Sequence, residues 1–250
     1  MEILDAGLLA RPEEGLGLQQ AVLEQVGAGE RGPTVLLWRS PRYVAFTRPE
    51  TRLEGFAEAA RAARGFGFPV LVRNSGGGAV AANEGSLSFS LTFPVGNLRQ
   101  GLYERYAEGV DLLVAALWRL GVAAEGGEVE GEFCPGAYSV RSGGELGVKH
   151  AGLAQRVTRR AARLEALVLA ERTVELVPVL ERVYAALGRP FRPGSVGDLP
   201  AGVLRVVGAL KSELRERYGA RETALDGGTR DRALEVSAAW RPAEDGARGS

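Results

Sequence analysis

Pro69-Val-Leu-Val-Arg-Asn-Ser-Gly-Gly-Gly-Ala-Val80 carries a short β-rich run straight into three consecutive glycines. Glycine lets a backbone turn sharply and approach a ligand closely with its N–H groups exposed. A tight turn is the plainer reading of the same residues. The stretch is not a Walker A loop, since no Gly-Lys-Ser/Thr follows, and it does not open a helix as a G-x-G-x-x-G fingerprint does. Just beyond it, Leu87-Ser-Phe-Ser-Leu-Thr-Phe93 alternates strictly. That period puts Leu87, Phe89, Leu91 and Phe93 on a core face and Ser88, Ser90 and Thr92 on the other.

Outward from this stretch, strand and helix signals alternate. Upstream, Thr34-Val-Leu-Leu-Trp38 and Tyr43-Val-Ala-Phe-Thr47 flank Ser40-Pro41, which predicts a hairpin. Leu53 to Arg64 is Ala-rich and stops at Gly65, as a helix does. Downstream, Tyr103, Tyr106, Val110, Leu113, Leu117 and Leu120 fall at helical spacing, with Gly121 at the expected end. Strands follow at about Ala137 to Val140, around Lys149, and at Leu164 to Leu169; Val177, Leu180, Tyr184 and Leu187 then mark a helix. Strands mixed with helices, without regular βαβ spacing, predict an α+β domain with a mixed central sheet flanked by helices. Residues 1–190 hold this domain. Arg189 to Pro200 reads as a Pro/Gly-rich linker, and Leu204, Val207, Leu210, Leu214 and Tyr218 outline a helix after it. Residues 191–250 are therefore expected to form a small helical appendage with a frayed tail from Glu244.

At 250 residues the chain is long enough to bury a real core. Its charges balance, 31 against 31, so no global field draws nucleic acid or an anionic membrane. Arg156, Arg159, Arg160 and Arg163 form a local basic cluster, read as a solvated face with anion binding as the alternative. A single cysteine cannot make an internal disulfide, and one cysteine with one histidine cannot build the usual zinc site. The N-terminus lacks the basic start and apolar run of a signal peptide, and no stretch has the length of a membrane span. A cytoplasmic protein is expected, with no metal, nucleic-acid or membrane partner.

The lone cysteine lies close in sequence to one of only two lysines, in Glu132-Phe-Cys-Pro-Gly-Ala-Tyr138 … Gly147-Val-Lys-His-Ala-Gly-Leu-Ala-Gln-Arg156. A composition that writes nearly every cation as arginine has kept Lys149, which points to a place where a compact ammonium on a thin stem is needed. Cys134 is the candidate nucleophile, since cysteine is the most nucleophilic side chain near neutral pH. In an extended 146–151, Leu146, Val148 and His150 share one face and Gly147, Lys149 and Ala151 the other. His150 is accordingly read as packing on the apolar side, away from the chemistry.

Arg73-Asn-Ser-Gly-Gly-Gly-Ala-Val80 with Glu84-Gly85 and Ser88, followed by Lys149-x-Ala-Gly152-x-Ala-Gln-Arg156, resembles the signature blocks of the lipoate/biotin protein ligase superfamily. Leu36-Leu-Trp38 and Arg48-Pro-Glu-Thr-Arg-Leu53 extend the resemblance, which runs from about residue 34 to 185. Cys134-Pro-Gly-Ala-Tyr138 is similar to one branch, the octanoyltransferases or lipoyl amidotransferases. That branch moves octanoyl from the glycine cleavage system H protein to other lipoyl domains, including E2 subunits of 2-oxoacid dehydrogenases. The ligases usually carry His-Asp after Gly-Gly-Gly-Ala-Val; here those positions read Ala82-Asn83. The resemblance implies that Cys134 takes up an octanoyl group as a thioester, and that the Lys149 ammonium stabilises the thiolate and meets the acyl oxygen. It further implies that Arg73, Ser75, Gly76, Gly77, Gly78, Ala79, Gly152 and Ala154 line the acyl site. No ATP or other cofactor is expected. An ATP-dependent lipoate ligase, an octanoyl-acyl carrier protein transferase and a non-catalytic acyl- or carrier-binding module are the alternatives.

Overall fold

A computed structural model describes residues 1–98 and 101–242. The first half of the chain forms β1 (Glu2–Leu8), α1 (Pro12–Ala28), β2 (Thr34–Arg39), β3 (Tyr43–Thr47), α2 (Phe56–Gly65), β4 (Val70–Arg73), β5 (Val80–Ala82), β6 (Ser86–Pro94) and α3 (Leu102–Trp118). The second half forms β7 (Glu125–Gly126), β8 (Val140–Ser142), β9 (Val148–Val157), β10 (Ala161–Leu169), α4 (Val177–Ala186), α5 (Val203–Tyr218), β11 (Arg221–Thr223) and α6 (Gly227–Ser237). Eight strands make a mixed sheet in the order β11-β1-β2-β6-β10-β9-β8-β7, and β4-β3-β5 make a second, smaller one. The α+β expectation, a mixed central sheet flanked by helices, describes the molecule.

Alternation in β6 translates into two packed layers. Leu87, Phe89 and Leu91 join Leu112 and Leu113 of α3 and Val206, Leu210 and Leu214 of α5 in one core. The opposite face of the large sheet meets Leu16, Leu18, Val22 and Leu23 of α1, with Leu36 and Trp38 of β2. The small sheet packs on α2 and α4 in a third cluster around Phe46, Phe68, Val183 and Tyr184. With both faces covered, Ser88, Ser90 and Thr92 are buried too.

Two expectations need correction. The 34–47 hairpin does not form: β2 pairs with β1 and β6, whereas β3 pairs with β4 and β5 in the other sheet. Both strands are buried along almost their whole length, so neither shows the one-sided alternation that would mark a partner. The segment after residue 190 is no appendage either. Leu199, Val203, Val206, Leu210 and Leu214 share a core with Phe89 and Leu164, β11 adds in parallel to β1, and α6 packs on α1. Glu244 to Ser250, expected to fray, lie outside the described residues. No helix among the described residues is long and apolar enough to cross a membrane.

Candidate active site

The glycine loop leaves β4 and meets the Cys134 loop that precedes β8. Cys134 holds a left-handed backbone, φ 45°. Its Sγ accepts the Gly78 N–H at 3.1 Å and faces Arg73 Nη2 at 3.7 Å. Both neighbours present positive charge to the sulfur, the environment in which a thiol acts as a nucleophile. Tyr184 of α4 joins the two loops, since its phenol accepts the Cys134 N–H and donates to the Ala79 carbonyl at 2.8 Å. Burial pushes that phenol far above its usual range, so it stays protonated.

Arg73 is held in turn. It donates to Ser75 Oγ at 2.8 Å and to the Gly78 carbonyl at 2.9 Å, and pairs with Glu165 at 3.4 Å. Glu165 also accepts from Ser75 and from Arg163 Nε at 2.9 Å. Burial alone would raise the Glu165 carboxyl, but Arg163 and Arg73 outweigh it and hold the group below the usual carboxylate range. Arg163 therefore belongs to the interior of the site, not to the basic surface cluster. Glu50 ties down the other side of the glycine loop, accepting the Ala79 N–H at 3.0 Å and an Arg189 hydrogen bond.

Lys149 is placed otherwise than the thiolate-stabilising role requires. Its side chain is 1% exposed, and its Nζ donates to Glu132 Oε1 at 3.0 Å, the Phe133 carbonyl at 2.9 Å and the Cys134 carbonyl at 3.0 Å. An ammonium has three hydrogens, and all three are committed. The ion that faces the sulfur is Arg73; Lys149 clips the loop beneath it. Glu132 finishes the clip by accepting from Ser139 Oγ at 2.6 Å and from the Val129 N–H at 3.0 Å. The strand faces also differ from simple alternation. Val140 pairs with Ala151 but Arg141 with Lys149, so His150 is the extra residue of a bulge. This turns Lys149 toward Gly152 and Ala154 and away from Ala151, which packs in the α3–α5 core. His150 is buried with Nε2 2.7 Å from Ser142 Oγ, away from the sulfur; burial pushes it down to about 4, so it is neutral at pH 7.

Cys134, Lys149, Arg73, Gly152 and Ala154 line one narrow cavity. Its remaining wall is largely apolar, with Leu16, Trp38, Tyr43, Val80, Phe133 and Leu167. Ser75, Gly76 and Gly77 line an adjoining groove with Arg48, Gln155 and Arg156, and Arg73 lines both. Gly78 and Ala79 act by backbone hydrogen bonds, between the two. Gly77 needs its missing side chain: a Cβ there would stand 2.6 Å from the sulfur and 3.0 Å from Arg73 Nη2, on a backbone with φ 94°. Gly77→Ala should therefore slow alkylation of Cys134 about 100-fold, the scale of a misplaced reacting atom. Stopped-flow alkylation of Cys134 in this variant checks it, and an unchanged rate would refute this close approach.

The model of the lipoyl protein ligase A/B catalytic domain matches residues 11–222. The chain belongs to that family. Within it, the chain is 31% identical over 183 residues to octanoyl-GcvH:protein N-octanoyltransferase of Geobacillus kaustophilus, covering 73% of this chain and 64% of that protein. The protein of the same name from Bacillus velezensis is 30% identical over 177 residues, 70% of this chain and 60% of its own length. The chain thus spans less than two thirds of these relatives. A crystal structure of lipoate-protein ligase A bound with ATP superposes with a TM-score of 0.75 at 18% identity, over 95% of this chain and 94% of that one. That likeness is one of fold.

Four residues of this family member's site went unassigned in its sequence: Glu132, Glu165, Tyr184 and Glu50. Two left a signal. Glu165 is the one acid in the apolar run Leu164-Glu-Ala-Leu-Val-Leu169, and Glu132 adjoins Phe133-Cys134 within reach of a rare lysine. A carboxylate in an apolar context is buried only with a partner. Tyr184 left none, because a tyrosine on the apolar stripe of a helix reads as core.

Proposed function

We propose that this chain is an acyltransferase that moves an octanoyl group from an acylated carrier, the glycine cleavage H protein, to the lysine of other lipoyl domains through a thioester on Cys134. One observation carries the reading: the lone thiol sits between a backbone N–H and a buried guanidinium, at a cavity whose walls are otherwise largely apolar. The names of the relatives agree with it. In the first half-reaction the thiolate attacks the octanoyl amide carbonyl; the C–S bond forms, the C–N bond breaks, and the carrier's lysine leaves with one proton added. In the second, an acceptor lysine amine attacks the thioester, the C–S bond breaks, the amine loses a proton, and the thiolate is restored. Gly78 N–H and Arg73 hold the negative charge at sulfur as it enters and leaves. E2 subunits of 2-oxoacid dehydrogenases are the further acceptors on this reading. A nucleophile that works as a free thiol suits the cytoplasm, where thiols stay reduced.

The route needs no ATP, because the acyl group arrives already joined to a carrier. The competing reading is an ATP-dependent lipoate ligase, favoured by the adjoining groove along Ser75, Gly76 and Gly77. Octanoyl movement from H protein to an E2 lipoyl domain, with ATP removed by apyrase, is the deciding assay. Transfer at full rate is expected. Activity only with free lipoate and ATP would hand the site to the ligase reading.

A further inference from the structure

The buried charges beside the sulfur do not cancel. Arg73, Arg163 and Glu165 are 7%, 2% and 9% exposed, so two guanidiniums stand against one carboxylate. Their other partners are neutral: Ser75, the Gly78 carbonyl, and Asn74, whose Oδ1 accepts from Arg163 Nη2 at 3.0 Å. The elements packed around them add no acid. From β6, Ser90 and Thr92 stand opposite Glu165 and Arg163, and from α1, Gln20 accepts from Asn74. Arg156 of β9, opposite Arg163, is exposed to solvent, which screens its charge. Lys149 closes on Glu132 and Arg189 on Glu50. Burial raises the phenols of Tyr43, Tyr106 and Tyr184, so they stay neutral. One positive charge is left over. The Cys134 sulfur, 3.7 Å from Arg73 Nη2, is a group that can carry the balancing negative charge.

Glu165 does not serve its two arginines equally. Arg163 and Glu165 stand two apart on β10 and so share a face. Nε and Nη2 of Arg163 both reach Glu165 Oε2, at 2.9 and 2.8 Å. Arg73 reaches the other oxygen at 3.4 Å, and that oxygen also takes the Ser75 hydroxyl. Attraction weakens with distance, and charged hydrogen bonds are strong when short, so Arg163 takes the larger share of the carboxylate. Neither cation is saturated: Arg73 Nε and Arg163 Nη1 are buried donors without an acceptor.

We propose that Arg163 is a positioning residue for the thiolate: by occupying Glu165 it keeps the Arg73 charge for the sulfur. Arg163 does not line the cavity and acts through its two neighbours. Without it the carboxylate would turn wholly to Arg73 and cancel it. The sulfur carries negative charge twice in the proposed transfer, when it attacks and when the acceptor lysine displaces it, and a stabilised thiolate leaves faster. The use made of the thiolate rests on the acyltransferase reading; the charge arrangement does not.

Alkylation of Cys134 by iodoacetamide across pH, in the full chain with no acyl donor, reads the balance directly. Arg163→Met should move the midpoint of the profile up by about one pH unit and slow alkylation about tenfold below it. Glu165→Gln, which releases both guanidiniums, should move the midpoint down by about as much. The double variant retains Arg73 as the single charge and should return to the wild-type midpoint. Arg163→Lys, which keeps the cation, should leave it in place. An arginine that merely props up the fold would lower the melting temperature and leave every midpoint unmoved. An unmoved midpoint in folded Arg163→Met, or both single substitutions shifting it the same way, overturns the proposal. If Arg163→Met does not fold, Glu165→Gln decides alone, and a midpoint that fails to drop overturns it. Loss of octanoyl transfer with these shifts intact would instead count against the acyltransferase reading and leave the role of Arg163 standing.

Discussion

Cys134→Ser should form no hydroxylamine-labile octanoyl adduct, and its transfer rate should fall by about three orders of magnitude or more. The wild-type protein, mixed with an octanoylated carrier, should gain one octanoyl mass that hydroxylamine removes. Serine keeps the loop's shape, because it too can be held at φ 45° by the Tyr184 bridge and the Lys149 clip. What it lacks is an anionic population near neutral pH. Among the described residues, the hydrogen-bond partners of the sulfur include no base to take its place. His150 is buried on another contact, and the groups facing Sγ, Arg73 and the Gly78 N–H, are donors only. Intact-mass spectrometry reads the adduct directly. Full transfer by Cys134→Ala would end the thioester route, since alanine cannot hold an acyl group.

The parts of the molecule that were legible in the sequence share a cause: a pattern with one physical reading. β6 alternates serine and threonine with large apolar residues, and its strand and its two faces followed. Cys134 and Lys149 stood out because each is a rare residue type in this chain. The parts that were missed also share a cause. α1 was invisible because Gly15 and Gly17 interrupt its pattern, and both are packing positions. One lies under the Trp38 ring, and a Cβ on the other would come within 2.4 Å of the Ala233 carbonyl of α6. Glycine in a helix costs about 1 kcal/mol in propensity, which close approach here offsets. The bulge at His150 reversed the faces assigned around Lys149, because a period of two carries no mark of an inserted residue. Lys149 was thus found for a sound reason and given the wrong partner: the compact ammonium is needed by two carbonyls and a carboxylate.

That reassignment predicts the largest effect on stability. Lys149→Met should leave the Glu132 carboxylate, 0% exposed in its side chain, buried without its countercharge. Removing one member of a buried ion pair typically costs about 3–5 kcal/mol, because the remaining charge stays desolvated. In a chain of this size, with about 2–4 °C lost per kcal/mol, the Tm should fall by about 10 °C. Glu132→Gln should cost less, since its amide still accepts from the ammonium but leaves that charge unbalanced. Combining the two substitutions should recover part of the loss, and the double-mutant cycle measured by denaturant unfolding gives the coupling. Lys149→Arg separates stability from activity. It keeps the charge, but a planar guanidinium does not fit between the Phe133 and Cys134 carbonyls and the glycine at 152, where even a Cβ would come within 3.0 Å of the lysine stem. Acylation should then be lost even where the variant is folded, because the loop that aims the sulfur has moved. A Lys149→Met variant melting at the wild-type temperature would show that the clip does not hold the loop. The lysine would then have to be sought in the chemistry after all.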